Sequence, residues 1–344
     1  MPIRSRAPLR LGLAGGGTDV SPYCDQFGGA ILNVTIGSYA YACIEPTDDG
    51  MVGFVSGDRR ESADYASVPE IEPDGKLDLL KFVHNYAVRR FNRGIPLSLK
   101  LTTLSDVPSG SGLGGSSTLV VAILKGYAEW LQFPIDDYDL AHAAYVIERE
   151  EAGLQGGKQD HYAAAFGGFN FMEFGSGGRV LVNPLRIHES VAAELEASLL
   201  LFYTGASRDS AAIIAEQAQN VEQGNVEAIE AMHQIKQEAY RMKEALLRGD
   251  FGLVHEVLRA SWQAKKRMAT QIVNEKIQTL YERAMEAGAY CARISGAGGG
   301  GFMMFLTDPM RKNRVVETLQ QYESGGIAYG CHFPTPGAQA WRIK

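Results

Sequence analysis

PSGSGLGGSST, residues 108–118, is the stretch on which the reading of this chain turns. Gly110, Gly112, Gly114 and Gly115 leave the backbone clear of side chains, so a phosphate can approach its N–H groups directly. Ser116, Ser117 and Thr118 add hydroxyls and lead into LVVAILKGYAEWL (119–131), a helix-like run. The first turn of such a helix has unpaired N–H groups and turns the positive end of its dipole toward the loop. The segment reads as a cradle for a polyanion, with Pro108, Gly110, Gly112, Leu113, Gly114, Gly115, Ser116, Ser117 and Thr118 as its candidate contacts.

Other phosphate loops fit less well. A Walker A loop ends in Gly-Lys-Ser/Thr, and no such ending occurs in the chain. The dinucleotide pattern G-x-G-x-x-G is met by Gly110, Gly112 and Gly115, but equally by Gly296, Gly298 and Gly301, which shows how little it discriminates among 39 glycines. A dinucleotide loop follows its strand at once, whereas Ser105, Asp106 and Pro108 separate this one from the strand-like 97–103. The second match runs into FMMFL (302–306), a buried strand and not a helix. A flexible Gly/Ser linker would not sit between an alternating strand and a long apolar helix.

A length of 344 residues exceeds one typical core and predicts two domains, 1–190 and 191–344, with the boundary near 185–195. The net charge of −7 argues against a nucleic-acid partner, so phosphate recognition must be local. Cys24, Cys43, Cys291 and Cys331 form no C-x-x-C pair, which predicts reduced thiols and neither a zinc site nor a disulfide framework. MPIRSRAPLR (1–10) is charged without an apolar run after it. With no stretch of about 18 apolar residues anywhere, a soluble, cytoplasmic protein without a membrane partner is expected, and homo-oligomerisation is left open.

Alternating β-branched and aromatic residues predict strands at 30–36, 39–45, 52–55 and 97–103. Helices are predicted at 77–91, 119–131 and 137–153, the last capped by Asp136 or Asp137 and stopped by Gly153. Residues 167–174 read as a turn into a strand. From 210 to 270 the chain is nearly all helical, broken at Gly249–Asp250, with a core stripe of Val226, Ile229, Met232, Ala239, Met242 and Leu246. A helix at 277–288, the strand 302–306, a helix near 314–322 and a closing strand complete an α+β order, with helices on one face of a mostly antiparallel sheet.

Three glycine-rich motifs stand far apart: RAPLRLGLAGGGTD (6–19), the cradle, and ISGAGGGG (294–301). Their order and residue types resemble the GHMP kinases, the superfamily of galactokinase, homoserine kinase and mevalonate kinase. The cradle is similar to that family's P-x-x-x-G-L-x-S-S-A signature, with Gly115 and Thr118 as departures that remove no phosphate-facing N–H. The resemblance spans nearly the whole chain. It implies a ribosomal protein S5 domain 2-like N-terminal unit, a ferredoxin-like C-terminal unit, ATP on the loop, and Mg²⁺ held by Ser117 and a glutamate. Glu148 in VIEREEAG (146–153) matches that glutamate best, although Glu150 and Glu151 are close and a solvated helix face would also explain them.

By the same resemblance Asp160, in GGKQD (156–160), is the catalytic carboxylate that orients the acceptor hydroxyl and takes its proton, with a turn aspartate capping the next helix as the competing view. Arg10 is the arginine beside it, and His161 reads as an ordinary helix start. Asp19 matches the sugar-binding aspartate of galactokinases. Gly16 and Gly17 replace that motif's glutamate and histidine, leaving room for a larger or phosphorylated sugar beside Thr18. AGGGTD with GGKQD is similar to the subfamily of L-fucose kinases and D-glycero-D-manno-heptose 7-phosphate kinases. That implies an ATP-dependent sugar 1-kinase, the heptose 7-phosphate being the favoured acceptor and the product serving nucleotide-activated heptose for surface polysaccharide. An L-fucose kinase and a catalytically silent relative are the alternatives. Arg208, in TGASRDS (204–210), and Lys158 are candidates for a second phosphate, and Gly298 and Gly299 for a place beside the substrate. Residues 55–65 and 80–85 are the expected adenine walls.

Overall fold

The computed structural model describes residues 1–108, 110–205 and 210–344. Its strands are β1 (Ile3–Ala14), β2 (Gly29–Pro46), β3 (Met51–Ser56), β4 (Glu61–Ala66), β5 (Leu99–Ser105), β6 (Phe169–Phe174), β7 (Val180–Pro184), β8 (Leu199–Tyr203), β9 (Ala289–Ile294), β10 (Phe302–Thr307), β11 (Ile327–Tyr329) and β12 (Gln339–Arg342). The helices are α1 (Tyr23–Phe27), α2 (Asp78–Phe91), α3 (Gly115–Leu131), α4 (Asp137–Tyr145), α5 (Gln159–Phe166), α6 (Glu189–Ser198), α7 (Ser210–Glu222), α8 (Val226–Arg248), α9 (Phe251–Met268), α10 (Glu275–Ala287) and α11 (Lys312–Tyr322).

The first sheet is built around β2, long enough to serve two partners on one edge. Its N-terminal half pairs with β6 and its C-terminal half with β5, while β1 runs along the other edge. The path is β12-β1-β2-β5-β3-β4, antiparallel except where β3 meets β5. The second sheet has the order β11-β8-β10-β9, all antiparallel, with helices between β8 and β9 and between β10 and β11. That order and connection define a ferredoxin-like unit. The expected division at 190/191 falls within α6, yet the final strand β12 returns to β1 in the first sheet.

α3 carries Val120 to Leu124 and Tyr127 buried to completion, since it is wrapped by β1, β2, α2 and α5. A helix apolar on nearly every face belongs inside, and this one delivers its N-terminus from the core to the surface of a cleft. On the other face of the sheet, Leu9, Leu11 and Leu32 pack with Met242 of α8, Val257 of α9 and Met304 of β10 in one cluster. The two sheets are thus joined through apolar contact, with α8 and α9 between them.

Three local outcomes differ from expectation. The helix after the cradle begins at Gly115 and not at Leu119, taking Ser116 and Ser117 into its first turn. The single helix predicted over 137–153 starts at the Asp136 cap but widens after Tyr145 into a π-helical turn, Val146–Glu151. The helical stretch 210–270 breaks at 223–225, where Asn225 caps α8, as well as at Gly249, and Val226 of the expected core stripe is exposed because it opens the first turn of α8. No helix among the described residues is long and apolar enough to cross a membrane.

Candidate active site

A cavity of about 910 Å³ opens where the N-terminus of α3, the end of β1 and the loop after β9 converge. Its size suits a nucleotide with a small acceptor. The cradle contributes Pro108, Gly110, Gly112, Gly114, Gly115, Ser116 and Ser117 to the wall. Thr118 and Leu113 do not reach it. The Thr118 N–H is already spent on Gly114 O, and Leu113 points into the core while its carbonyl accepts from the Arg10 N–H. The unpaired N–H groups of the first turn are therefore those of Gly115, Ser116 and Ser117.

Arg10, near the end of β1, and Asp160, in the first turn of α5, meet beneath this loop. Arg10 Nε donates to Asp160 Oδ1 at 2.6 Å and Nη1 to Gly112 O at 2.8 Å. Gly114 makes that approach feasible. It sits at φ +79°, and a Cβ there would lie 2.9 Å from Asp160 Cγ. Gly114→Ala is expected to lower kcat about a hundredfold by displacing the carboxylate, at the scale of an ångström-sized misplacement. It should also cost about 1–2 kcal/mol of stability for the left-handed backbone, read by steady-state kinetics and thermal melts on the same preparation.

The π-helical turn gives Glu148 its place. Widening the helix by one residue turns this side chain inward, where it is wholly buried. Such bulges recur at functional sites. Ser117 Oγ donates to Glu148 Oε2 at 2.5 Å, and His161 Nε2 lies 2.6 Å from the same oxygen. Arg149 Nη2 donates to Ser117 Oγ at 3.1 Å. Burial alone would raise the Glu148 pKa, but the His161 hydrogen bond and the charges of His161 and Arg149 outweigh it and hold it at about 2. Glu151 instead pairs with Arg89 at the surface, and Glu150 is exposed.

Glu148 Oε1 is buried and has no hydrogen-bond partner. An orphaned carboxylate oxygen beside a serine hydroxyl, facing a phosphate cradle, fits a hard divalent cation that keeps waters and substrate phosphates among its ligands. No group of three or more acidic, histidine or cysteine side chains that could cage a metal occurs among the described residues.

Asp19 lines the same cavity. Its Oδ2 accepts from the Gln159 N–H at 2.9 Å, and burial pushes its pKa up while that hydrogen bond pulls it down. Gly157 backs directly onto it, for a Cβ there would meet Oδ2 at 2.0 Å. Gly16 and Gly17 line the wall beside it, but Thr18 does not: its Oγ1 is 2.8 Å from Gly15 O and accepts from the Ala30 N–H, staking the turn to β2.

The other candidates fall elsewhere. Lys158 is buried behind the wall with its ammonium 5.7 Å from the Tyr145 ring. Gly298 and Gly299 turn toward the segment before α10, where the Gly299 N–H donates to Ile272 O; Gly296 and Ala297 face the cavity in their place. Arg208 lies outside the described residues. Of the adenine walls, Ser56, Asp58, Arg59 and Phe82 line the cavity with Leu77, Leu79 and Leu119, whereas Leu80 and Asn85 pack inward. Asn85 holds the Ile71 backbone in two hydrogen bonds.

The late glycine run packs on the cradle, with Ser295 Oγ donating to Gly112 O at 3.0 Å and the Phe302 N–H to Ser111 O at 2.9 Å. Sequence reasoning took His161 for an ordinary helix start, where the structure sets its Nε2 on Glu148, and passed over Arg149, Lys265 and Arg293. For Arg293 a signal existed: it is an inward-facing charge in an otherwise apolar strand, CARI.

A loop of this kind at the N-terminus of a buried helix, joined to a ferredoxin-like unit, is the architecture of one kinase superfamily. The family model for the GHMP kinases N terminal domain matches residues 79–168, and that for the C terminal domain matches 242–324. The chain belongs to the GHMP kinases. Within that family it is 46% identical to the D-glycero-alpha-D-manno-heptose 7-phosphate kinase of Campylobacter jejuni subsp. jejuni, over 99% of each chain. The crystal structure of a D-glycero-D-manno-heptose 1-phosphate kinase from Bacteroides thetaiotaomicron is 44% identical, with a TM-score of 0.84 and 99% of each chain covered. The L-fucokinase/L-fucose-1-P guanylyltransferase of Bacteroides fragilis is 26% identical over 93% of this chain and 36% of its own length.

Proposed function

We propose that this protein transfers the γ-phosphoryl group of ATP to the anomeric hydroxyl of D-glycero-D-manno-heptose 7-phosphate, giving the 1,7-bisphosphate. The observation that carries the reading is the Arg10–Asp160 pair, set against Gly112 and Gly114 of the phosphate loop in a cavity that Asp19 also lines. The 46% identity to the Campylobacter enzyme supports the choice of acceptor.

The N–H groups of Gly115, Ser116 and Ser117 receive phosphate oxygens at the positive end of α3. Residues 1–190 act as the ATP-binding unit, with Leu77, Leu79, Phe82 and Leu119 as the apolar slot for the base, and 191–344 closes the acceptor side. Ser117 and Glu148 would hold Mg²⁺, which would offset the negative charge of the nucleotide phosphates. Asp19 anchors a sugar hydroxyl. Asp160 engages the anomeric hydroxyl through Oδ2, the oxygen that Arg10 leaves free, and takes its proton as the O1–P bond forms and the bond to the ADP oxygen breaks. Arg10 meanwhile balances charge on the transferring group. On this reading the anomeric phosphate readies the sugar for nucleotide activation toward surface polysaccharide, and the enzyme works in the cytoplasm.

An ADP-release assay over a panel of sugars and sugar phosphates, with ³¹P NMR of the product, tests this. The heptose 7-phosphate is expected to give the highest kcat/KM and a new anomeric phosphate resonance. Equal or better turnover of unphosphorylated L-fucose would sink the assignment in favour of a fucose kinase.

A further inference from the structure

Among the described residues, two cations of the second half of the chain face this cavity without a counter-ion. Lys265, near the end of α9, and Arg293, on β9, both line it and are 3% exposed. Lys265 Nζ donates to Gly296 O at 2.8 Å, which leaves two of its three N–H groups unspent. Arg293 Nη1 is held by Ser261 Oγ at 3.0 Å and Leu13 O at 3.3 Å, leaving Nη2 toward Gly16. Among the described residues neither cation has a carboxylate within ion-pair distance. Glu238 is near enough to favour the charged form of Arg293, but burial and the Arg10 charge act against it. Lys265 is held well below the ordinary lysine value by burial, Arg293 and Arg10.

Buried charge is costly unless something pairs with it. The other cations that line the wall among the described residues are committed: Arg10 to Asp160, Arg149 to Ser117 and Glu148, and Arg59 to the exposed rim beside Glu61. We propose that Lys265 and Arg293 are the receptor for the phosphate already carried by the acceptor, with Gly16 leaving the outer edge of the guanidinium open to it. A guanidinium and an ammonium together suit a phosphate dianion, the one through directed N–H pairs and the other as a point charge. Gly16 decides access. A Cβ at this position would stand 3.1 Å from Arg293 Nη2, where a phosphate oxygen needs to enter. The assignment rests on the sugar phosphate reading above and names the side chains that enforce it.

Arg293→Gln and Lys265→Gln are each expected to raise KM for the heptose 7-phosphate about tenfold to a hundredfold, with KM for ATP within twofold of the parent. The preference for the 7-phosphate over the same heptose without phosphate should collapse in parallel. Gly16→Ala covers the case in which a charge removal prevents folding. Gly16 is not in the left-handed region, so the variant should melt like the parent and still raise KM for the sugar phosphate at least tenfold. A rise confined to the ATP KM, or an undiminished preference for the phosphorylated acceptor in these variants, would overturn the assignment while leaving the sugar phosphate reading intact. Preference of the parent enzyme for an unphosphorylated sugar would overturn both.

Discussion

Asp160→Asn is expected to lower kcat by about 10²–10⁴ while leaving both KM values within a few-fold, the span that a positioned proton acceptor contributes. The substitution keeps an oxygen for the Arg10 Nε–H, now 2.6 Å from Oδ1, and removes only the capacity to take a proton and the negative charge. Geometry is therefore largely preserved, which makes the kinetic loss interpretable. The carboxylate is 18% exposed and Arg10 5%, so the loss of charge pairing should cost less than the 3–5 kcal/mol typical of a fully buried broken pair. Melts of the variant and the parent give that figure directly. Full ATP consumption with sugar by Asp160→Asn would overturn the assigned role. A variant with raised KM and unchanged kcat would make Asp160 a sugar anchor instead.

How far the sequence carried this picture depends on which physical term fixed each residue. The cradle was legible because glycines, serines and an apolar helix in that order have few uses, whereas its contact with the late glycine run does not follow from composition and is shown by the Ser295 to Gly112 hydrogen bond. The second half was legible from its residues only as helices on one face of a mostly antiparallel sheet; its ferredoxin-like topology was implied by the resemblance, and the strand order β11-β8-β10-β9 agrees with it. The start of α3 was placed too late because Gly115, Ser116 and Ser117 are poor helix formers by propensity, yet the first turn tolerates them where the interior would not. The π-helical turn at 146–151 left no mark at all, since a one-residue widening changes neither composition nor apolar spacing within so short a segment. It decides which of three neighbouring glutamates faces Ser117.

Second-phosphate candidates chosen from sequence show a related limit. Lys158 stands two residues before Asp160, but at the start of the helix that begins at Gln159 it turns to the Tyr145 ring while Asp160 meets Arg10. Lys265 and Arg293 come from elements more than a hundred residues away, and only the packing of α9 against both β1 and β9 brings them to Gly16. Chain-distant convergence of this kind leaves its trace in one place, the buried charge within CARI, where an apolar strand has no structural use for a guanidinium.

Glu148→Gln separates a cation ligand from a structural carboxylate. The parent side chain has a pKa of about 2, below its ordinary 4.5, so it is ionised throughout the working range. Its charge stabilises the fold fully above the unfolded value, and that contribution is lost as pH falls from about 4.5 through about 2. Glutamine has the same shape but offers an amide where Oε2 accepts from Ser117 and His161, or where Oε1 stands unpartnered. Either orientation removes the charge that a divalent cation would need. The expected result is a fall in kcat of roughly 10²–10³. The Mg²⁺ concentration for half-maximal activity should rise at least about tenfold. Calorimetric titration of ATP with and without Mg²⁺ supplies a readout independent of turnover: the parent should bind Mg²⁺-ATP more tightly than free ATP, and the variant should lose that difference. Loss of thermal stability with an unchanged Mg²⁺ requirement would instead make Glu148 an anchor for Ser117 and His161, and would move the cation to another ligand on the phosphate side of the cavity.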